Sequence, residues 1–336
     1  MLEQAAWAAL DARQVQEAAD AFKEAIALDP KNPRLRLGAG MAAFLQRRDD
    51  DAKQALEYAL QLDPQFTRAR AQLAHVIRRM GDLRGAIREY ERVVSEAPAD
   101  KGARDTLDRW KRELELHDRM RHEVGDHFVV SFEGPPDSAL GAQALETLER
   151  AYWRVCDLLG VFPTAPIPVI LYSNEQFRDI TRSPPWAAGV YDGRIRLPVR
   201  GAAADAKEFE RVLGHEFVHA LVRSLAERAV PGWLNEGLAT ALEDNGIEWA
   251  QENITKAKEI PTLESLQTSF GRLSGAQAQA AYATSALAVR RLLDEVGGTA
   301  MANLIRDLGD GIEFEKAFEH RMLRSFSDFS ASFALR

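Results

Sequence analysis

The sequence predicts an all-α repeat array in its first third and an α+β domain in the remainder, on three observations. Asp29-Pro30, Asp63-Pro64 and Ala97-Pro98 recur every 34 residues. Between residues 127 and 197, short runs rich in β-branched and aromatic residues alternate with helical stretches. Beyond them, His215-Glu216-Phe217-Val218-His219 lies in a stretch of helical periodicity and is followed by Trp233-Leu234-Asn235-Glu236-Gly237.

The 34-residue period is that of the tetratricopeptide repeat. Its small and aromatic positions stay in phase: Ala18, Phe22 and Ala25 align with Ala52, Leu56 and Ala59, then with Ala86, Tyr90 and Val93. Gly40 and Ala74 fall where two helices must approach closely. Residues 1–98 therefore read as three helical hairpins of a tetratricopeptide-like (TPR) solenoid. Residues 99–122, with Asp100, Lys101, Arg104, Asp105, Asp108 and Arg109, read as a polar capping helix that completes a first domain, 1–122. Stacked hairpins form a concave groove that takes peptide segments, so a protein partner docked there is the expectation, with a spacer or dimerisation surface as the other reading.

The second domain, 123–336, opens with a predicted mixed sheet. Residues 127–133, 167–172 and 189–197 are the strand candidates, separated by helical stretches at 138–160 and 174–181. Asp192-Gly193 inside the last of them signals a hairpin or a bulge. Asp205 followed by Glu208 resembles a capping box that opens the next helix, and Phe209, Leu213, Phe217 and Leu221 continue at helical spacing to bury one face.

On that helix His215 and His219 stand one turn apart on one face, so both imidazoles can reach one metal ion. Glu216 points about 100° further round, where its carboxylate can lie beside a metal-bound water and take its proton. A catalytic zinc takes three protein ligands and keeps one position open, and a His2Glu set is used for peptide hydrolysis. Glu236, seventeen residues after His219 and past a break at Val230-Pro231-Gly232, is the candidate third ligand of one Zn2+ per chain. The other reading is that both histidines are ordinary helix residues paired with Glu216 and Glu236 for stability.

With these residues and Trp233-Leu-Asn-Glu-Gly-Leu-Ala239, the chain resembles the gluzincin zinc peptidases, most closely the smaller peptidase-MA-like domains. The resemblance covers residues 123–336 and implies a zincin-like α+β fold with a small mixed sheet, a metal-binding helix and a helical C-terminal half. It also implies ligands at His215, His219 and Glu236 and a catalytic base at Glu216. The metzincin pattern fails, because its Gly and third His positions are Val222 and Leu225. Gluzincins stabilise the oxyanion with a downstream Tyr or His. Tyr282, opening the helical stretch 282–295, is the candidate, against a core-packing role and the competitors Tyr191 and His320. Where thermolysin orients a histidine ligand with an Asp one turn beyond its glutamate, this chain has Thr240, whose hydroxyl can accept an imidazole N–H. By the same resemblance, residues 188–197 supply an exposed edge that pairs with substrate backbone. The Gly-x-Met-Glu-Asn loop of the aminopeptidases is missing from 183–193, which favours an endopeptidase.

Composition agrees with two soluble domains: 336 residues, 46% apolar and 28% charged. Residues 1–122 carry 22 Lys and Arg against 21 Asp and Glu, whereas 123–336 carry 21 against 30, a charge of −9 that disfavours nucleic acid. The single Cys156 excludes an internal disulfide and reads as a packed core thiol. Neither a signal peptide nor an 18-residue apolar run is visible. The first repeat starts abruptly at Met1, so a trimmed form of a longer chain stays open, and with it the compartment. The expected function is zinc-dependent endopeptidase action on a peptide or protein substrate. The rival is a non-catalytic TPR docking protein with an inert metallopeptidase-like domain.

Overall fold

Seven helices form the N-terminal unit, Met1–Arg119, of the computed structural model, which describes residues 2–134, 138–183, 188–199, 205–226, 230–268 and 270–333. They are α1 (Leu2–Asp11), α2 (Val15–Leu28), α3 (Pro33–Leu45), α4 (Asp49–Leu62), α5 (Thr67–Arg79), α6 (Leu83–Glu96) and α7 (Lys101–His117). Successive helices pack as hairpins because the repeat positions are small exactly where another backbone approaches: Ala18, Ala52 and Ala86 are fully buried. A Cβ on Gly40 would stand 2.7 Å from Leu56 Cγ, so any larger residue there would force that buried side chain to shift. The 34-residue period also reaches the turns. Arg13, Arg47 and Gly81 close the three hairpins, all with left-handed φ (60°, 63° and 97°).

The second unit, Met120–Arg336, is built, among the described residues, on a five-stranded sheet. Its strands are β1 (Arg121–Val124), β2 (Phe128–Phe132), β3 (Ile167–Tyr172), β4 (Val190–Tyr191) and β5 (Ile195–Pro198), in the order β1-β2-β3-β5-β4. β2, β3 and β5 run parallel, and both edge strands are antiparallel to their neighbours. A parallel pair needs a crossover, which α8 (Ser138–Leu159) supplies between β2 and β3. α9 (Asn174–Thr181), opened by a reciprocal Ser173–Gln176 capping box, follows β3.

α10 (Ala206–Leu225) packs with α8 and the sheet. Phe209, Leu213, Phe217 and Leu221 are all buried, Phe217 edge-on to Phe128 at 5.3 Å. α11 (Gly232–Ala241), α12 (Gly246–Lys256), α13 (Gly275–Gly309), α14 (Phe314–Met322) and α15 (Phe326–Phe333) form the helical half, in which α11 lies along α13. That packing needs Gly237, where a Cβ would meet the Ser285 carbonyl at 2.5 Å. Cys156 lies in the core, and burial pushes its thiol up to about 12. No helix among the described residues is long and apolar enough to cross a membrane.

Four sequence expectations change. The capping helix ends at His117 instead of running to 122, and β1 follows it; the division between units, at 119/120, precedes that strand. Residues 189–197 form a hairpin, so of its two strands β4 lies at a sheet edge among the described residues and β5 is interior. Asp205 caps α10 by accepting from the Glu208 N–H, but the Glu208 carboxylate holds Arg211. The helix that carries Tyr282 starts two turns earlier, at Gly275, with a Ser274–Gln277 capping box. Of the stretch 183–193, whose sequence lacks the aminopeptidase loop, residues 184–187 lie outside the described residues.

Candidate metal centre

α10 and α11 meet where the chain breaks at Val230-Pro231-Gly232. Pro231 precedes the first turn of α11, and a Cβ on Gly232 would stand 2.3 Å from the Thr268 carbonyl oxygen. This turn brings Glu236 to the two histidines. His215 Nε2 and His219 Nε2 are 3.1 Å apart, and Glu236 Oε2 is 3.7 and 3.4 Å from them. A triangle with those sides has a circumscribed radius of about 2.0 Å, so one point lies within zinc-bonding distance, about 2.0–2.2 Å, of all three atoms.

The charge environment also suits a cation. Burial pushes the His215 imidazolium down, but hydrogen bonds to Glu236 and Glu243 and the charge of Glu243 outweigh it and raise it to about 10. Burial likewise opposes the proton on His219, and Glu236 overcomes it. For Glu236 burial favours the neutral acid, yet the two imidazoles hold it well below the usual carboxylate range. The donor set and its field therefore fit a divalent ion of zinc's size and ligand preference.

What holds the rings is only partly what the sequence predicts. His219 Nδ1–H donates to Asn235 Oδ1 at 3.2 Å. His215 Nδ1–H donates at 2.6 Å to Glu243, not to Thr240. The Glu243 carboxylate is buried and also accepts from Arg211 Nη1 at 2.9 Å. Burial raises its pKa, but the partners His215 and Arg211 bring the net below the ordinary value. Thr240 is buried within α11, whereas Glu243 sits two residues past the end of that helix and is carried back over His215 by the turn into α12. A carboxylate on the far nitrogen fixes the tautomer that leaves Nε2 free for a metal. Glu243→Gln is therefore expected to weaken zinc binding about 10–100-fold, read by competition with a chromophoric chelator, while Thr240→Val leaves it near the parent value.

Glu216 is buried and lies beside, not within, the donor triangle. Burial raises its pKa, and the imidazoles of His219 and His215 oppose that. Its carboxylate abuts the backbone of Gly189, the residue before β4, where a Cβ would stand 2.7 Å from Glu216 Cγ and Oε1. This contact has no signal in the local sequence.

The Tyr282 ring is 6.4 Å from that of His215 and edge-on to Phe270 at 5.2 Å. Burial, then the carboxylates of Glu236, Glu216 and Glu243, raise its pKa, so the phenol stays protonated. Tyr191 lies on β4. His320 is exposed on α14 beside Asp307, outside this group.

The sheet, α10 and the helical half together define a zincin-like α+β domain that follows a helical-repeat unit in the chain. A Peptidase MA superfamily profile matches residues 147–323, and a tetratricopeptide repeat profile matches 9–57 and 46–107. The chain belongs to the peptidase MA superfamily. No curated protein sequence matches it. Among solved structures, it is similar to the first TPR of Spaghetti (RPAP3) bound to the HSP90 peptide SRMEEVD, with 23% identity over 34% of this chain and 93% of that one and a TM-score of 0.33. The Arabidopsis OM64 TPR domain is 18% identical over 33% of this chain and 93% of that one, with a TM-score of 0.33. The myosin chaperone UNC-45 from C. elegans, in complex with a Hsp90 peptide, is 13% identical over 95% of this chain and 32% of that one, with a TM-score of 0.32.

Proposed function

We propose that the protein is a zinc-dependent endopeptidase whose repeat unit docks a protein partner or the substrate. The observation that carries this is the triangle of His215, His219 and Glu236 donor atoms, with a buried non-ligand carboxylate, Glu216, beside it. When bound there, zinc supplies Lewis-acid polarisation of a water and of the scissile carbonyl. Glu216 accepts the proton of the attacking water and passes it to the leaving amine. Glu243 and Asn235 hold the imidazoles in register, and the Tyr282 hydroxyl donates to the developing oxyanion.

Substrate backbone pairs with β4. Asp192 N–H bonds the Arg194 carbonyl, and antiparallel pairing alternates, so Val190 bonds to β5 while Tyr191 turns its N–H and C=O to the free edge.

The test is metal analysis of the purified chain, then digestion of casein and of a denatured protein mixture with and without a zinc chelator. About one zinc per chain, and cleavage that stops on chelation and returns with zinc, are expected. Absence of zinc binding, or cleavage indifferent to the chelator, would favour the rival docking protein. Tyr282→Phe should keep the metal and lower kcat about 100-fold, the scale of one oxyanion donor; an unchanged kcat returns this ring to the core.

A further inference from the structure

We infer that Arg223 forms a subsite for a substrate carboxylate two to three residues from the scissile bond; this rests on the peptidase reading above. Arg223 follows His219 by four residues and His215 by eight, so it stands on the same face of α10, one turn further on. Helical side chains lean back over the preceding turn, which carries its guanidinium toward His219. It is partly buried, and among the described residues no carboxylate pairs with it. A partly buried guanidinium without an acid partner is one that a ligand carboxylate can complete.

The sheet edge gives the second observation. Tyr191 is the cross-strand partner of Ile195, so both side chains lie on the sheet face against which α10 packs. There burial raises the Tyr191 pKa, and the nearby Arg223 charge opposes that. Gly189, two residues earlier, lies against Glu216. The edge strand and α10 therefore run side by side, from Gly189 and Glu216 at one end to Tyr191 and Arg223 at the other. Glu216 to Arg223 is about 10 Å of helix, and Gly189 to Tyr191 about 7 Å of strand. An extended substrate on the β4 edge covers that distance in two to three residues. The carboxylate can come from an Asp or Glu side chain or from the free end of a peptide, and the recognition chemistry is the same.

The test uses the full zinc-loaded chain carrying Glu216→Gln, which holds peptides without turning them over, and fluorescein-labelled peptide pools read by anisotropy. One pool has internal Asp and Glu with amidated ends, one has neutral residues with free carboxyl ends, one has internal Lys with amidated ends, and one is neutral and amidated. At least one carboxylate pool should bind about tenfold or more tightly than the neutral amidated pool, a charge-assisted hydrogen bond's worth, and which pool does so identifies the source. Adding Arg223→Glu should abolish that preference and turn it toward the Lys pool, with zinc content unchanged. Equal binding of all four pools, or a preference that survives Arg223→Glu, overturns the assignment. Carboxylate selectivity in a chain whose Glu216 form cleaves nothing refutes the peptidase reading and keeps the subsite; cleavage by the Glu216 form with no charge preference does the reverse.

Discussion

Glu216→Gln is expected to retain zinc and fold and to lose at least about 100-fold in turnover, the scale of general-base loss. The carboxamide keeps the size and shape of the side chain but has no lone pair basic enough to accept a proton from water. The metal should be unaffected, because the three donor atoms belong to His215, His219 and Glu236, and the carboxylate of Glu216 lies beside them. Stability should be unchanged or raised: burial works against the Glu216 charge, and a neutral amide avoids that desolvation cost. Zinc stoichiometry, thermal midpoint and kcat on a cleaved substrate check the three parts. Full activity in this variant would remove Glu216 from the chemistry.

Gly189→Ala should have an effect of comparable size and reach the same step from the other side. The new methyl would stand 2.7 Å from Glu216 Cγ and Oε1 and 2.9 Å from Cδ, closer than carbon tolerates, so something must give. The obstructing atoms are the far end of a flexible side chain, not backbone, so the carboxylate swings aside and the fold survives. A base displaced by about 1 Å costs on the order of 100-fold in kcat, while zinc content and thermal midpoint stay close to the parent. Because the lesion acts through Glu216, the double variant with Glu216→Gln should be no slower than Glu216→Gln alone. A double variant that loses a further factor of the same size would mean that Gly189 serves another purpose.

Both predictions concern one carboxylate, but they differ in how much of their basis is legible in the sequence. Glu216 is placed by its spacing from His215 and His219, because a helix converts a separation of one or four residues into a fixed angle. The repeat unit is legible for a similar reason: a 34-residue period that returns alanine and aromatic residues to the same helix faces specifies its own packing, and in the structure the left-handed turns at Arg13, Arg47 and Gly81 follow that period. Gly189 carries no such pattern. It is 27 residues from Glu216, and only the hairpin of β4 and β5 beside α10 brings the two together.

Glu243 illustrates a reading that was local when the contact was not. Helical spacing from Glu236 points to Thr240, one turn on, and α11 does carry Thr240 there, but His215 Nδ1 pairs with Glu243 instead. The helix stops at Ala241, and the turn into α12 carries Glu243 back over His215 and Arg211. That turn depends on Gly246, where a Cβ would stand 1.9 Å from the Thr240 carbonyl oxygen. The strand at 121–124 escaped for a different reason: Arg121, His122 and Glu123 have little β character, and they become a strand because the sheet edge of β2 accepts them.

By itself the sequence determined which residues share a helix face: the repeat ridges, the two histidines with their glutamate, and the apolar stripe of α10. Each follows from the 3.6-residue turn, a property of the chain over a few neighbours. The tertiary structure decided which faces meet: that Glu236 completes a triangle with the histidines, that Glu243 orients one of them, that Gly189 leaves room for Glu216, and that β4 packs beside α10. Those residue contacts span 17 to 28 residues across chain breaks whose angles are set by the packing of whole elements, and no local periodicity encodes them.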